Sequence, residues 1–286
     1  MFPPMPTPFK DGAVHVEAIR RNVRHFITSG LGGVVALGTN GEAPMIDDDE
    51  SVRVVEAARA EIPADRVLIA GAGRESTPAA IAAAKRAAAA GADAVLVRTP
   101  TFYRAHLGVP ALVAHYTAIA DASPVPVLLY NYAAFTGVNL SPETVGKLAA
   151  HPNIVGMKET STDGAQFAEL GGAVPARFTV LSGSAPGVYA ALCAGAGGAI
   201  LAVACIRPAL CLDLLGHVQS GRYREALACQ RRLTPLARAV TTGFGIAGLK
   251  KAMDLCGLEG GEPRAPLEPL KADAIDKLRT LLDATP

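Results

Sequence analysis

Lys158 ends an apolar run, Ile154-Val155-Gly156-Met157-Lys158, and Tyr130 with Asn131 ends another, Val125-Pro126-Val127-Leu128-Leu129. These two residue types suit one chemistry. An ammonium at the end of a buried strand is costly unless it is paired or loses its proton. A neutral lysine amine attacks a ketone to give a Schiff base, and a phenol within reach can carry the protons. Blander readings stand beside these. The lysine can snorkel to solvent or pair with Glu159, and the tyrosine can be buried only to bond the backbone. Other strand ends add polar groups. Gly38-Thr39-Asn40-Gly41-Glu42 is short, glycine-flanked and hydroxyl-bearing, a form that either makes an ordinary βα turn or lets backbone N–H groups approach an anion. Thr160 follows the lysine, and Ser182-Gly183-Ser184 adds hydroxyls. Together these groups point to one site more strongly than any member does alone.

Such a set needs parallel strands that end on the same side. Short β-rich runs alternate with longer helical ones, the pattern of βα units. The runs at 33–38, 67–71, 94–99, 125–131, 154–158, 178–182 and 199–204 are apolar throughout, as strands covered on both faces are. A first short strand near 5–8 completes eight. Thr77-Pro78 and Ser141-Pro142 read as helix N-caps followed by first-turn prolines, and Asp47 with Glu50 as a capping box. Eight such units predict an α/β fold, a (β/α)8 TIM barrel over 1–207, with its site at the C-terminal strand ends. Segments near 208–219, 222–239, 245–256 and 271–283 predict a C-terminal helical extension, 208–286, packed on the barrel.

Composition excludes several classes. Half of the 286 residues are apolar and 19% are charged, which supports a sizeable core. A net charge of +1 with no basic run argues against nucleic acid and anionic membrane as partners. No apolar stretch reaches transmembrane length, and the N-terminus lacks a signal-like segment. Five cysteines without CxxC spacing read as free thiols in a reducing cytoplasm. The histidines lack HExxH spacing, so no metal is expected. Gly71-Ala72-Gly73-Arg74-Glu75-Ser76 lacks the third glycine of a dinucleotide fingerprint, and neither GxxxxGK[ST] nor GxSxG occurs. No cofactor is expected.

Gly38-Thr39-Asn40-Gly41-Glu42, Tyr130-Asn131 with Thr136-Gly137, and Gly156-Met157-Lys158-Glu159 resemble the signatures of the dihydrodipicolinate synthase/N-acetylneuraminate lyase family. The resemblance runs from Pro6-Thr7-Pro8-Phe9 to the C-terminal helices. Within the family it is greatest to the 4-hydroxy-2-oxoglutarate aldolase branch, through His151–Lys158, Phe244-Gly245-Ile246 with Gly248-Leu249-Lys250-Lys251, and Arg264-Ala265-Pro266-Leu267. It implies a metal-independent class I aldolase, cytoplasmic and homotetrameric, acting on a small 2-oxo acid. Lys158 would form the imine, Tyr130 would be the acid/base, and Thr39 would join the proton relay. Thr39, Asn40 and Gly41 would bind the pyruvyl carboxylate, with Thr160 beside the lysine.

Departures from the family pattern bear on the second substrate. Phe135 stands where lysine-biosynthetic members carry a carboxylate-binding arginine, and Ala133 where many relatives have proline. Phe102 occupies the position of a tyrosine lent by a neighbouring subunit, unless a loop shift brings Tyr103 there. Cys205 replaces a frequent asparagine. Arg98, Arg104 and Arg207 read either as solvated surface residues or as holders of a distal carboxylate. The expected reaction is cleavage of 4-hydroxy-2-oxoglutarate or a related 2-oxo acid to pyruvate and an aldehyde such as glyoxylate. A 2-keto-3-deoxy sugar acid dehydratase or aldolase using the same imine is one alternative, and a non-catalytic oxo-acid-binding regulatory barrel another.

Overall fold

The computed structural model describes residues 1–286. Its strands are β1 (Phe9–Lys10), β2 (Ala13–Val14), β3 (Gly33–Ala36), β4 (Val67–Gly71), β5 (Ala94–Arg98), β6 (Val127–Asn131), β7 (Ile154–Glu159), β8 (Thr179–Ser182) and β9 (Gly198–Ala199). The helices are α1 (Val16–Thr28), α2 (Asp48–Arg59), α3 (Thr77–Ala89), α4 (Val109–Ala122), α5 (Ala133–Thr136), α6 (Pro142–Ala149), α7 (Gly164–Ala173), α8 (Val188–Cys193), α9 (Pro208–Gln219), α10 (Tyr223–Arg238), α11 (Gly245–Leu255) and α12 (Ala272–Asp283). Strands β3 to β9 lie in one sheet in sequence order, and the pairs from β4 onward are parallel. Helices alternate with these strands, and the chain is a (β/α)8 barrel with a helical C-terminal region.

Two compact units make up the chain: Met1–Leu68 with Ile200–Pro286, and Ile69–Ala199. In the second unit, β5, β6 and β7 are buried almost throughout, as strands covered on both faces must be. Helix α3 is mostly alanine, the residue with the highest helix propensity, and its N-cap is Ser76, one residue before the expected Thr77. Ser141 caps α6, accepting from the Thr144 N–H.

In the first unit, α2 opens with the full Asp47–Glu50 capping box. The expected strand near 5–8 is displaced. Parallel bridges instead join Pro4 to Val35 and Phe2 to Ile200. Pro3 and Pro4 carry no N–H, so this segment makes bridges and never a continuous ladder. The run expected at 199–204 is strand only through Ala199 and continues as a 3₁₀ turn over Ala202–Cys205. The short β1–β2 hairpin had no clear sequence signal. The four expected C-terminal helices form within a residue or two of their predicted bounds.

Candidate active site

Parallel register sets the central pair. On β6 and β7, Tyr130 lies opposite Lys158, and Asn131 opposite Glu159. Side chains alternate across a strand, so Tyr130 and Lys158 share one face while Asn131 and Glu159 share the other. The Lys158 Nζ donates to the Tyr130 hydroxyl at 3.2 Å and lies 4.3 Å from the ring centroid. Lys158 is only 5% exposed and Tyr130 4%. Glu159 takes no part in this contact, which removes the ion-pair reading of the lysine. Its carboxylate accepts instead from Asn131 Nδ2, Gln166 Nε2 and the Ser161 N–H, each at 2.7 Å.

Two neighbours shape the space around the amine. A Cβ on Gly183 would lie 2.8 Å from Lys158 Cε and 2.3 Å from Thr160 Oγ1, so only glycine leaves the lysine its position. Sequence reading credited the flanking serines; the glycine between them is what the site requires. The buried Thr160 hydroxyl has no hydrogen-bond partner. A buried orphan donor is costly in a finished core and suits a group held ready for a ligand beside Lys158.

Past Tyr130 the chain forms an aromatic ledge. Tyr132 stacks on Tyr130 with ring centroids 6.1 Å apart, and Phe135 stacks on Tyr132 at 4.3 Å. Burial raises the Tyr132 phenol pKa, and the neighbouring Tyr130 adds to this. Phe135 is 64% exposed. Gly137, at φ 68°, ends this turn, and Arg104 packs so closely on it that a Cβ would lie 2.7 Å from Arg104 Cδ.

The loop after β5 is tied down by Glu75. Its carboxylate pairs with Arg98 at 2.8 Å and accepts from the N–H groups of Thr101 and Phe102 at 2.9 and 3.0 Å. Burial opposes ionisation of Glu75, but the two N–H groups and the guanidinium hold its pKa down at about 2. Arg98 is therefore committed to Glu75 and to the Thr99 carbonyl. Phe102 and Tyr103 are both exposed and meet edge to face.

Thr39, Asn40 and Gly41 belong to the first unit, in the loop after β3. The Thr7 hydroxyl donates to the Gly41 carbonyl at 2.8 Å, and the Glu42 N–H to the Thr39 carbonyl at 3.1 Å. Glu42 adopts a left-handed φ of 55°, a conformation that costs a non-glycine residue energy and survives only where its surroundings enforce it. The enforcing groups are Lys250, paired to the Glu42 carboxylate at 2.5 Å, and the Arg264 N–H, which donates to it at 2.8 Å. Arg264 also clasps Glu50 with both terminal guanidinium nitrogens, at 2.6 and 2.7 Å. Arg207 serves neither loop. It donates to the Ile206, Leu282 and Thr285 carbonyls, fastening the C-terminus within the first unit. No cluster of three His, Cys, Asp or Glu side chains is placed to hold a metal ion, and no helix is long and apolar enough to cross a membrane.

Known proteins resemble this chain along its whole length. The Dihydrodipicolinate synthetase family matches residues 1–285. A 4-hydroxy-tetrahydrodipicolinate synthase of an Exiguobacterium species is 36% identical over 282 residues, covering 97% of this chain and 94% of the relative. The crystal structure of dihydrodipicolinate synthase from Thermotoga maritima superposes with a TM-score of 0.95 at 30% identity, covering 99% of this chain and 97% of that one. A structure described as a monomeric dihydrodipicolinate synthase variant gives 0.94 at 31% identity, with 99% and 95% covered. A buried lysine against a tyrosine at neighbouring strand ends, in a barrel matched along its whole length, makes this chain a member of the dihydrodipicolinate synthetase family and a class I, Schiff-base-forming lyase.

Proposed function

We propose that the protein is a pyruvate-dependent aldolase that cleaves 4-hydroxy-2-oxoglutarate or a related 2-oxo acid. The Lys158 amine attacks the 2-oxo carbon, and loss of water gives the imine. Removal of the proton from the 4-hydroxyl then breaks the C3–C4 bond. The electron pair passes into the protonated imine, and the aldehyde, here glyoxylate, departs. Protonation of the resulting enamine at C3 and hydrolysis of the imine release pyruvate and restore the amine. Tyr130, in contact with Nζ, is the acid/base for these transfers. Thr39, Asn40 and Gly41 bind the carboxylate next to the imine, and Thr39 extends the relay; both roles rest on the family likeness. Thr160, with its orphan hydroxyl, binds substrate beside the lysine.

The single observation that carries this choice of substrate is Phe135. Phe135 is an exposed phenyl ring stacked on Tyr132, and by the family resemblance it stands where lysine-biosynthetic members carry the arginine that binds a second carboxylate. A phenyl ring supplies neither the charge nor the forked donors of an arginine for a distant carboxylate. In aspartate semialdehyde two carbons separate the carboxylate from the aldehyde carbon, whereas the second carboxylate of 4-hydroxy-2-oxoglutarate is bonded directly to C4, beside the bond that breaks. A second reading, synthesis of 4-hydroxy-tetrahydrodipicolinate from pyruvate and aspartate semialdehyde, draws on the names of the relatives and on Arg104, whose side chain packs on Gly137, two residues from Phe135. The test is kcat/KM for both reactions on one preparation. Cleavage of 4-hydroxy-2-oxoglutarate is expected to lead by about tenfold to a hundredfold, the value of a lost charge-assisted contact. Equal or better efficiency with aspartate semialdehyde, lost on Arg104→Ala, would give the second reading precedence. A dehydratase would return an oxo acid of unchanged carbon number in place of pyruvate.

The family likeness also implies a homo-oligomer. The edge-to-face pair Phe102 and Tyr103, 77% and 70% exposed, is the surface a second copy would cover. Sedimentation of wild type against Phe102→Glu tests this, with a shift toward monomer expected.

A further inference from the structure

The rear face of the β6–β7 pair carries a second polar contact that the proposed chemistry does not use. Asn131 is 1% exposed and Glu159 is fully buried. The Glu159 carboxylate has three neutral donors and no cationic partner. A buried charge held only by neutral groups is expensive, and an apolar pair in register would cost far less. Asn131 is equally committed. Its Nδ2 donates to Glu159 Oε2 and to Asn139 Oδ1, both at 2.7 Å, and its Oδ1 accepts from the Leu140 N–H at 3.0 Å. The backbones of the same two residues hold the adjoining loops. The Thr160 N–H donates to the Asn131 carbonyl at 3.1 Å, and the Gly183 N–H to the Glu159 carbonyl at 2.6 Å. Three segments therefore converge on this pair: the loop with Tyr132 and Phe135, the segment with Thr160 and Gln166, and the turn at Gly183.

We propose that Asn131 and Glu159 are a positioning pair for catalysis. Each is the next residue after a catalytic one. By locking the ends of β6 and β7 together from behind, they fix the Tyr130 hydroxyl against the Lys158 amine at the front. Neither touches substrate. The inference rests on the reading of Tyr130 as the acid/base for Lys158.

The test is a double-mutant cycle on imine formation, read as the rate at which borohydride traps pyruvate on the protein. If Asn131 acts through Tyr130, Asn131→Ala slows trapping by on the order of 30-fold in the wild-type background and less than about threefold in Tyr130→Phe. Glu159→Gln is the near-isosteric companion. An amide there must set one of its own N–H groups against a donor, so the same coupled loss is expected. Gln166→Ala removes a single donor from a half-buried position and is expected to give a smaller loss with the same dependence on Tyr130. These two variants carry the test if Asn131→Ala fails to fold. Equal losses in both backgrounds would overturn the positioning role and leave Tyr130 as the acid/base. An unchanged trapping rate in Tyr130→Phe alone would remove the reading of Tyr130, and this inference with it.

Discussion

Two buried lysines, each over an aromatic ring, have opposite kinds of partner in this chain. Lys250 Nζ lies 4.4 Å from the Phe9 ring centroid, pairs with the Glu42 carboxylate at 2.5 Å and donates to the Glu262 carbonyl at 2.9 Å. Burial lowers its pKa, and the Glu42 carboxylate opposes that shift. Lys158 Nζ lies 4.3 Å from the Tyr130 ring centroid, and its hydrogen-bond partner is a phenol. Both amines are desolvated, but only Lys250 is matched by an opposite charge. An ammonium held by a carboxylate and a carbonyl is locked and makes no nucleophile. The Lys158 amine meets a phenol, with Gly183 keeping space open and the Thr160 hydroxyl unsatisfied, which is the arrangement the proposed chemistry needs. Burial alone does not distinguish a catalytic lysine from a structural one; the identity of its partner does.

This contrast can be broken from either side. The largest expected effect is on activity: Lys158→Ala removes the nucleophile and is expected to lower kcat by at least about four orders of magnitude. Thermal unfolding should change little, because no ion pair is lost. Lys250→Met reverses the pattern. It strands the Glu42 carboxylate in the interior and is expected to cost about 3–5 kcal/mol of stability by chemical denaturation. The double variant Lys250→Met with Glu42→Gln removes both charges and should recover most of that loss. Failure to recover would show that the lysine stabilises the unit through its packing and not through the pair.

Smaller changes sharpen the comparison. Tyr130→Phe keeps the ring under Lys158 and removes only the hydroxyl, so kcat is expected to fall by about two to four orders of magnitude. Near-normal turnover would mean that the ring matters and the phenol does not.

The smallest expected effect concerns acid. The Glu75 pKa is held near 2, below the ordinary carboxylate value of 4.5. A carboxylate depressed on folding stabilises the native state above its unfolded pKa, and that contribution is lost as pH falls through the folded one. Wild type should therefore lose its stability advantage over Glu75→Gln between about pH 4.5 and about pH 2, in unfolding midpoints measured across that window. An advantage that is flat with pH would place the role of Glu75 in packing alone.

The buried Lys158–Tyr130 pair was legible because an ammonium at the end of an apolar run violates the local pattern, and because the tyrosine ends a run of the same kind. Their contact follows from parallel register. The βα alternation and the C-terminal helices were legible through their periodicity and caps. What escaped the sequence depends on which face a side chain takes, or on partners far apart in the chain. Glu159, next to the lysine, was one candidate ion-pair partner, but strand alternation turns it away toward Asn131. Lys250 and Arg264 lay in segments that reported ancestry, and nothing local revealed that they converge on Glu42. Gly183 was hidden between two serines because its function is the absence of a side chain.

Borohydride reduction in the presence of saturating pyruvate, followed by peptide mapping, tests the central claim most directly. One reduced pyruvyl adduct is expected, on Lys158, with Lys250 unmodified and Lys158→Ala unlabelled. An adduct on Lys250, or none in the wild-type protein, would contradict it.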